Sequence, residues 1–343
     1  MKAVVFHEHG GPEKLRFEEV EMPRIGPGEA LIRVRACALN HLDIWIRQGI
    51  PAYQVPLPHI SGCDVAGIVE QVAPDVQSVR VGERVFVSPG LSCWRCDQCL
   101  AGRDNLCPSY KILGAQVDGG FAEFVKVPAL NVVPVPGTLS FEEAAAFPLV
   151  SVTGWHMLFG LADLKPGETV LVMGAGSGVG SVAVQMAKAA GARVFTTVGS
   201  EDKVPKAKNL GADVVLNHAT DDLVNRVKGL TGGRGVDVVL EHVGTAVWDA
   251  CLHALAKGGR LVTCGATTGP EVKMDLRLLF SRQLTLKGSY MGTRAELLQA
   301  AGLVGRGQIR PIVDRSFPLA EARQAQEWML SRKVFGKIVL TVQ

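Results

Sequence analysis

Four cysteines stand together as Cys93-x2-Cys96-x2-Cys99-x7-Cys107. Thiolates at this spacing fill the tetrahedral shell of one zinc ion and leave no open position, so such a metal would hold structure and not bind substrate. The lobe they span, residues 91–108, is poor in core-forming side chains, and ligation would give it a shape. A disulfide pair and an iron–sulfur cluster are the competing readings. The N-terminal run MKAVVFHEHGG has neither a long apolar core nor a cleavage site, so it does not read as a secretory signal. Eight cysteines in a chain without one favour thiols and metal, and the expected location is the cytoplasm.

A second constellation lies at residues 168–213. The apolar run 170–173 reads as a buried parallel strand and ends in a turn containing Gly174, Gly176, Gly178 and Gly180. A helix pattern follows over 181–190, stopped by Gly191, and a β-branched run over 194–198 completes strand–turn–helix–strand. A pyrophosphate needs backbone N–H groups at close range and a helix N-terminus behind them, which this order supplies. The register sets Ala175, Ser177 and Gly180 on the three positions of G-x-G-x-x-G, with Gly176, Gly178 and Val179 between them. Ser177 keeps a hydroxyl for phosphate. The bland alternative is a βαβ unit with no ligand. NAD enzymes place a carboxylate at the end of the second strand, whereas this chain reads Val198-Gly199-Ser200 there. Ser200 and Lys203 suit a 2′-phosphate, so NADP(H) is favoured over NAD(H).

The rest of the chain must position these two groups. Its 343 residues are enough for two cores, and its dispersed net charge of +3, without aromatic–basic interleaving, gives no sign of nucleic acid. The apolar span 144–162 contains Pro148, Ser151, Gly154 and His156 and lacks flanking charge, so it reads as a buried helix and not a membrane span. Residues 1–30 read as a hairpin, and EALIRVRACA at 29–38 as a half-buried strand; many short strands over the first 130 residues read as a small irregular barrel. After residue 168 strands alternate with helices, the pattern of a doubly wound parallel sheet.

Together these features resemble the medium-chain dehydrogenase/reductase superfamily, that is, the zinc-containing alcohol dehydrogenases and their quinone oxidoreductase relatives. The likeness covers essentially the whole length. It implies an α/β fold in which a Rossmann doubly wound sheet, residues 151–287, is inserted in a GroES-like irregular β-barrel domain built from 1–150 and 288–343. It implies one structural zinc per chain in the cysteine lobe. It places Thr153 beside the nicotinamide, Gly265 and Ala266 under that ring, and His242 and Val243 at the same carboxyl edge. It also implies a homodimer or homotetramer, pairing through LTLKGSYM or its neighbour RLVTCGA.

The zinc alcohol dehydrogenases hold a second, catalytic zinc through a cysteine in C-H-x-D, a histidine and glutamate in G-H-E, and often a later cysteine. Here the corresponding residues are Asn40 in Asn40-His41-Leu42-Asp43, then Cys63 and Asp64, with the last position near Leu149-Val150. Too few donors remain for an open metal site. Asn40, Asp43 and the loop tyrosine Tyr53 instead resemble the zinc-free quinone oxidoreductase branch. Hydride transfer leaves negative charge on a substrate oxygen, and the groups available to stabilise it are the Asn40 amide, the Tyr53 hydroxyl and His41. Cys63 reads as a small buried residue and Asp64 as an organiser of the pocket. The expected function is reduction of conjugated carbonyls, quinones or reactive aldehydes with NADPH and no catalytic zinc. A true zinc-dependent alcohol dehydrogenase with an atypical second zinc is the runner-up. A non-enzymatic, crystallin-like NADPH-binding protein is the alternative of another class.

Overall fold

The computed structural model describes residues 1–51, 53–137 and 139–343. The chain divides into two units, 1–150 with 293–305 and 310–343, and 151–292 with 306–309. Residues 288–292 and 306–309, expected with the barrel, cluster instead with the second unit; the first of these stretches continues directly from Thr285–Gly288, the last strand of its sheet.

In the first unit the ten-residue strand Glu29–Ala38 is central. It pairs antiparallel with Asp64–Val72, with Phe124–Pro128 and with the C-terminal strand Lys337–Thr341. Its buried residues Ala30, Ile32, Val34 and Cys37 enter a core with Val65, Val69, Val125, Ile338 and Leu340. Two register points matter for the chemistry: Ala38 faces Asp64 on one side and Val339 on the other. The end of one strand and the beginnings of two others therefore meet at one edge of the sheet. Lys2–Phe6 and Arg16–Glu19 form the expected N-terminal hairpin.

The second unit holds a parallel sheet in the order Val214–Asn217, Arg193–Val198, Thr169–Val172, Val236–Glu241, Leu255–Thr263, Thr285–Gly288. This is the 3-2-1-4-5-6 order of a doubly wound dinucleotide fold. RLVTCGA falls on an inner strand, so of the two segments expected to pair subunits only Thr285–Gly288 lies at an edge. The span 144–162 is not one helix. It breaks into Phe141–Ala145, Pro148–Trp155 and a π-helical His156–Leu161. Proline has no N–H to continue a helix and is at home in a first turn, so a new helix begins at Pro148. No described helix is long and apolar enough to cross a membrane.

Candidate active site

Asn40 follows the central strand and caps the helix His41–Gln48. Its backbone N–H donates to Asp43 Oδ2 at 2.7 Å, and Asp43 Oδ1 accepts from the Gly62 N–H at 3.0 Å. Asp43 thus ties the helix start to the turn that delivers Cys63 and Asp64. Gly62 has φ +102, and a Cβ there would meet the Phe121 ring at 2.5 Å, so only glycine fits this turn. Burial pushes the Asp43 carboxyl up to about 7 against the pull of these N–H groups and of Lys337.

Asp64 is fully buried and accepts three hydrogen bonds: from Leu149 N–H at 2.7 Å, from Asn40 Nδ2 at 2.9 Å and from Lys337 Nζ at 2.9 Å. Lys337 Nζ also donates to Asn40 Oδ1 at 2.5 Å. Asn40 Nδ2 lies 3.3 Å from Cys63 Sγ. Burial, reinforced by Asp43 and Asp64, pushes the Cys63 thiol well above its usual range. The Asn40 amide, expected as a donor to substrate, is partly committed within the protein: its oxygen to Lys337 and one N–H to Asp64. Nor do these residues fit a catalytic metal. An ammonium occupies the amide oxygen and shares the Asp64 carboxylate, which leaves too few free donors for an open metal site. His41, exposed, sets its ring 6.1 Å from Trp45. Tyr53, partly buried, donates its backbone N–H to Ile50 O at 3.2 Å.

Lys337 escaped the sequence reading because it lies 273 residues from Asp64. A signal existed: a lysine in the apolar strand GKIVLTV has to find a buried partner. In the sequence Asp43 stands out only as part of the Asn40 motif.

The Sγ atoms of Cys93, Cys96, Cys99 and Cys107 all lie within 4.8 Å of one another, the Cys93–Cys99 pair at 4.0 Å. Tetrahedral Zn–S bonds of about 2.3 Å place sulfurs about 3.8 Å apart, so the set fits zinc. Backbone N–H groups of Arg95 and Cys96 draw the Cys93 thiol down to about 6, while burial pushes Cys99 up to about 12. Four thiols this close cannot all ionise without a cation among them. Among the described residues this is the one group of three or more His, Cys, Asp or Glu side chains gathered to hold an ion. Arg294 N–H donates to the buried Asp104 at 3.0 Å and anchors the lobe from the C-terminal part of its own unit.

In the second unit the helix begins at Gly178, earlier than its pattern suggested, because Ser177 caps it by accepting from Gly180 N–H at 2.8 Å. A Cβ on Gly180 would sit 2.1 Å from Gly174 O, the close helix–strand approach of the third fingerprint glycine. The turn residues Ala175 and Gly176 precede that cap, and Val179 lies in the first helical turn. Ala175 N–H donates to Thr197 O at 2.9 Å, and His242 Nε2 lies 2.9 Å from Met173 O and 3.2 Å from Ser177 Oγ. His242 is therefore a brace for the turn. The Val243 and Gly244 N–H groups donate to buried Glu241, and Gly265 approaches His242 O closely enough that a Cβ would stand 3.0 Å away. Ala266 lies against Gly244. Thr153 is buried in the helix Pro148–Trp155. At the end of the second strand, Ser200 bonds Asp202, Lys203 acts on His218, and Glu201 is drawn away to Asn217 Nδ2 at 2.7 Å.

Comparison with known proteins agrees with this architecture. Residues 26–137 match the alcohol dehydrogenase GroES-like domain, and residues 178–306 the zinc-binding dehydrogenase family. The chain is 36% identical over 344 residues to an alcohol dehydrogenase of Geobacillus stearothermophilus, covering all of both. It is 31% identical over 346 residues to a quinone oxidoreductase of Rattus norvegicus, covering 99% of this chain and 97% of that one. A solved structure described as an NAD-dependent alcohol dehydrogenase superposes with TM-score 0.97 at 44% identity, covering both chains completely. The chain therefore belongs to the medium-chain dehydrogenase/reductase superfamily, as an NAD(P)-dependent oxidoreductase of the zinc-type alcohol dehydrogenase family.

Proposed function

We propose that the protein reduces conjugated carbonyls, quinones or reactive aldehydes with NADPH and without a metal at the substrate. The observation that carries this reading is the Asn40–Asp64–Lys337 network, in which a side-chain ammonium stands among residues that supply too few donors for zinc. Bound NADPH would supply a hydride. The backbone N–H groups of Gly176, Gly178 and Val179 are assigned to its pyrophosphate, with the Ser177 cap on Gly180 and the His242 brace holding their turn. Thr153, Val243, Gly265 and Ala266 are assigned to the nicotinamide. Asn40 is the hydrogen-bond donor to the substrate oxygen, and Tyr53 or His41 returns a proton to the product. Without a strong electrophile the protein serves best a substrate that spreads the developing charge through its own conjugation.

The preference for NADPH rests on Ser200 and Lys203 and on the absence of a carboxylate at Gly199. Lys203→Glu should lower the NADPH-over-NADH ratio of kcat/KM by about tenfold, one charge contact being worth on the order of 1 kcal/mol at a partly exposed site. The four cysteines hold one structural zinc. The exposed edge Thr285–Gly288, with Leu276 and Phe280 exposed nearby in sequence, suits pairing of two copies. The test is NADPH oxidation with a panel of enones, quinones and aldehydes; silence across the panel sinks the reading. The name of the neighbour at 44% identity favours a second one, an NAD-dependent alcohol dehydrogenase; in this chain it would use a further, atypical zinc. Metal analysis separates them at one zinc per chain against two.

A further inference from the structure

Asn40 has a donor whose partners are poor. Lys337 Nζ at Oδ1 fixes which way the amide is turned, since the reverse would set its NH2 group against an ammonium. One Nδ2 hydrogen meets the Asp64 carboxylate at 2.9 Å. The other has only Cys63 Sγ at 3.3 Å and Ala38 O at 3.5 Å. A thiol that keeps its proton is a weak acceptor, and a contact at 3.5 Å is at the limit of a hydrogen bond. Asn40 retains 7% of its surface, whereas Lys337 retains 4% and Asp64 none. An ammonium on an amide oxygen draws density out of the conjugated N–H groups, and linked hydrogen bonds strengthen one another by roughly 10–30%.

We propose that Lys337 is a positioning residue that acts through Asn40: its ammonium orients and polarises the amide, whose second N–H is then the donor for the substrate oxygen. The proposal rests on the reductase reading above. Lys337 itself does not touch substrate. Asp64 balances its charge, so the polarising effect of a buried cation is passed outward by a neutral group. The bond to the substrate oxygen strengthens as hydride addition builds charge there, so the effect falls on kcat more than on ground-state binding.

The experiment compares Lys337→Met and Lys337→Arg. With NADPH and 2-cyclohexenone, Lys337→Met should lower kcat by about 100-fold while KM for both substrates changes little, and Lys337→Arg should recover most of the loss. A folded Lys337→Met chain with kcat within about threefold of wild type overturns the proposal. Should that variant fail to fold, the paired Asp64→Asn, Lys337→Met chain removes the cation while keeping the site neutral. The same fall is expected there, and an unchanged kcat overturns the proposal. A readout independent of turnover is the Asn40 side-chain amide signal in the 15N–1H spectrum, assigned by its loss in Asn40→Asp. It should move upfield in Lys337→Met, and an unmoved signal overturns the proposal. If the signal shifts in Lys337→Met while the wild type reduces no enone, quinone or aldehyde, the functional reading sinks and the coupling of Lys337 to Asn40 stands.

Discussion

The cysteine lobe and the Asn40–Asp64–Lys337 cluster belong to the same unit, and each gathers polar groups that would repel or starve one another if left alone. The lobe draws its four thiols from fifteen consecutive positions, 93–107, and leaves their charge to be balanced from outside. The cluster draws an amide, a carboxylate and an ammonium from strand ends up to 297 residues apart, and balances its charge internally. The first arrangement calls for an ion and the second for the register of a sheet. Within one fold, the zinc proposed for the lobe and the lysine of the cluster would solve the same electrostatic problem. A metal would hold a loop that has little core of its own; the lysine needs a core already built around it.

The largest effect should come from breaking the lobe's side of this contrast. Cys107→Ser, or exhaustive chelation, should remove one zinc per chain and unfold residues 91–108, since structural zinc contributes on the order of 10 kcal/mol in isolated fingers. Metal analysis with hydrogen exchange checks this. Unchanged exchange across the lobe after zinc loss would mean that the metal is not what shapes it.

A smaller effect is expected on the cluster's side. Asp64→Leu strands a buried ammonium and should cost roughly 3–5 kcal/mol, whereas Asp64→Leu with Lys337→Met should cost less than that single change. Denaturant unfolding of the two variants measures it. Equal losses would mean that the ion pair is not the unit of stability and would blur the contrast with the metal.

The third effect, spread over several pH units, is a pH dependence at the cluster. The Asp43 carboxyl is raised from 3.8 to about 7, so between those values the folded chain holds more protons than the unfolded one. Its contribution is then fully present below about pH 4, declines as pH rises, and is lost above about pH 7. Stability of the wild type minus that of Asp43→Asn, followed over this range, should fall with rising pH. A flat difference removes Asp43 as the source. The lobe, by contrast, should respond to chelator over the same range.

What was legible in the residues follows the same division. The cysteine spacing and the glycine turn could be read because their parts are consecutive. Ser177 even explains why the helix begins ahead of its apolar pattern: a cap acts before the first buried residue appears. The substitutions at Asn40, Cys63 and Asp64 could be read only through resemblance. Their roles could not, because hydrogen-bonding capacity is used up by neighbours that the order of residues does not reveal. Asn40 can be named as a donor from the sequence, but that Lys337 holds its oxygen cannot.

The sequence alone determined the thiolate set, the dinucleotide turn and the alternation that makes a parallel sheet, since each arises from short-range geometry within a single segment. Tertiary structure decided which strand of the second unit forms an edge, where residues 288–292 belong, and that Lys337 meets Asn40 and Asp64. The physical reason is register: Ala38 faces Asp64 on one side and Val339 on the other, and that pairing is settled by the burial of whole strand faces and not by any local motif.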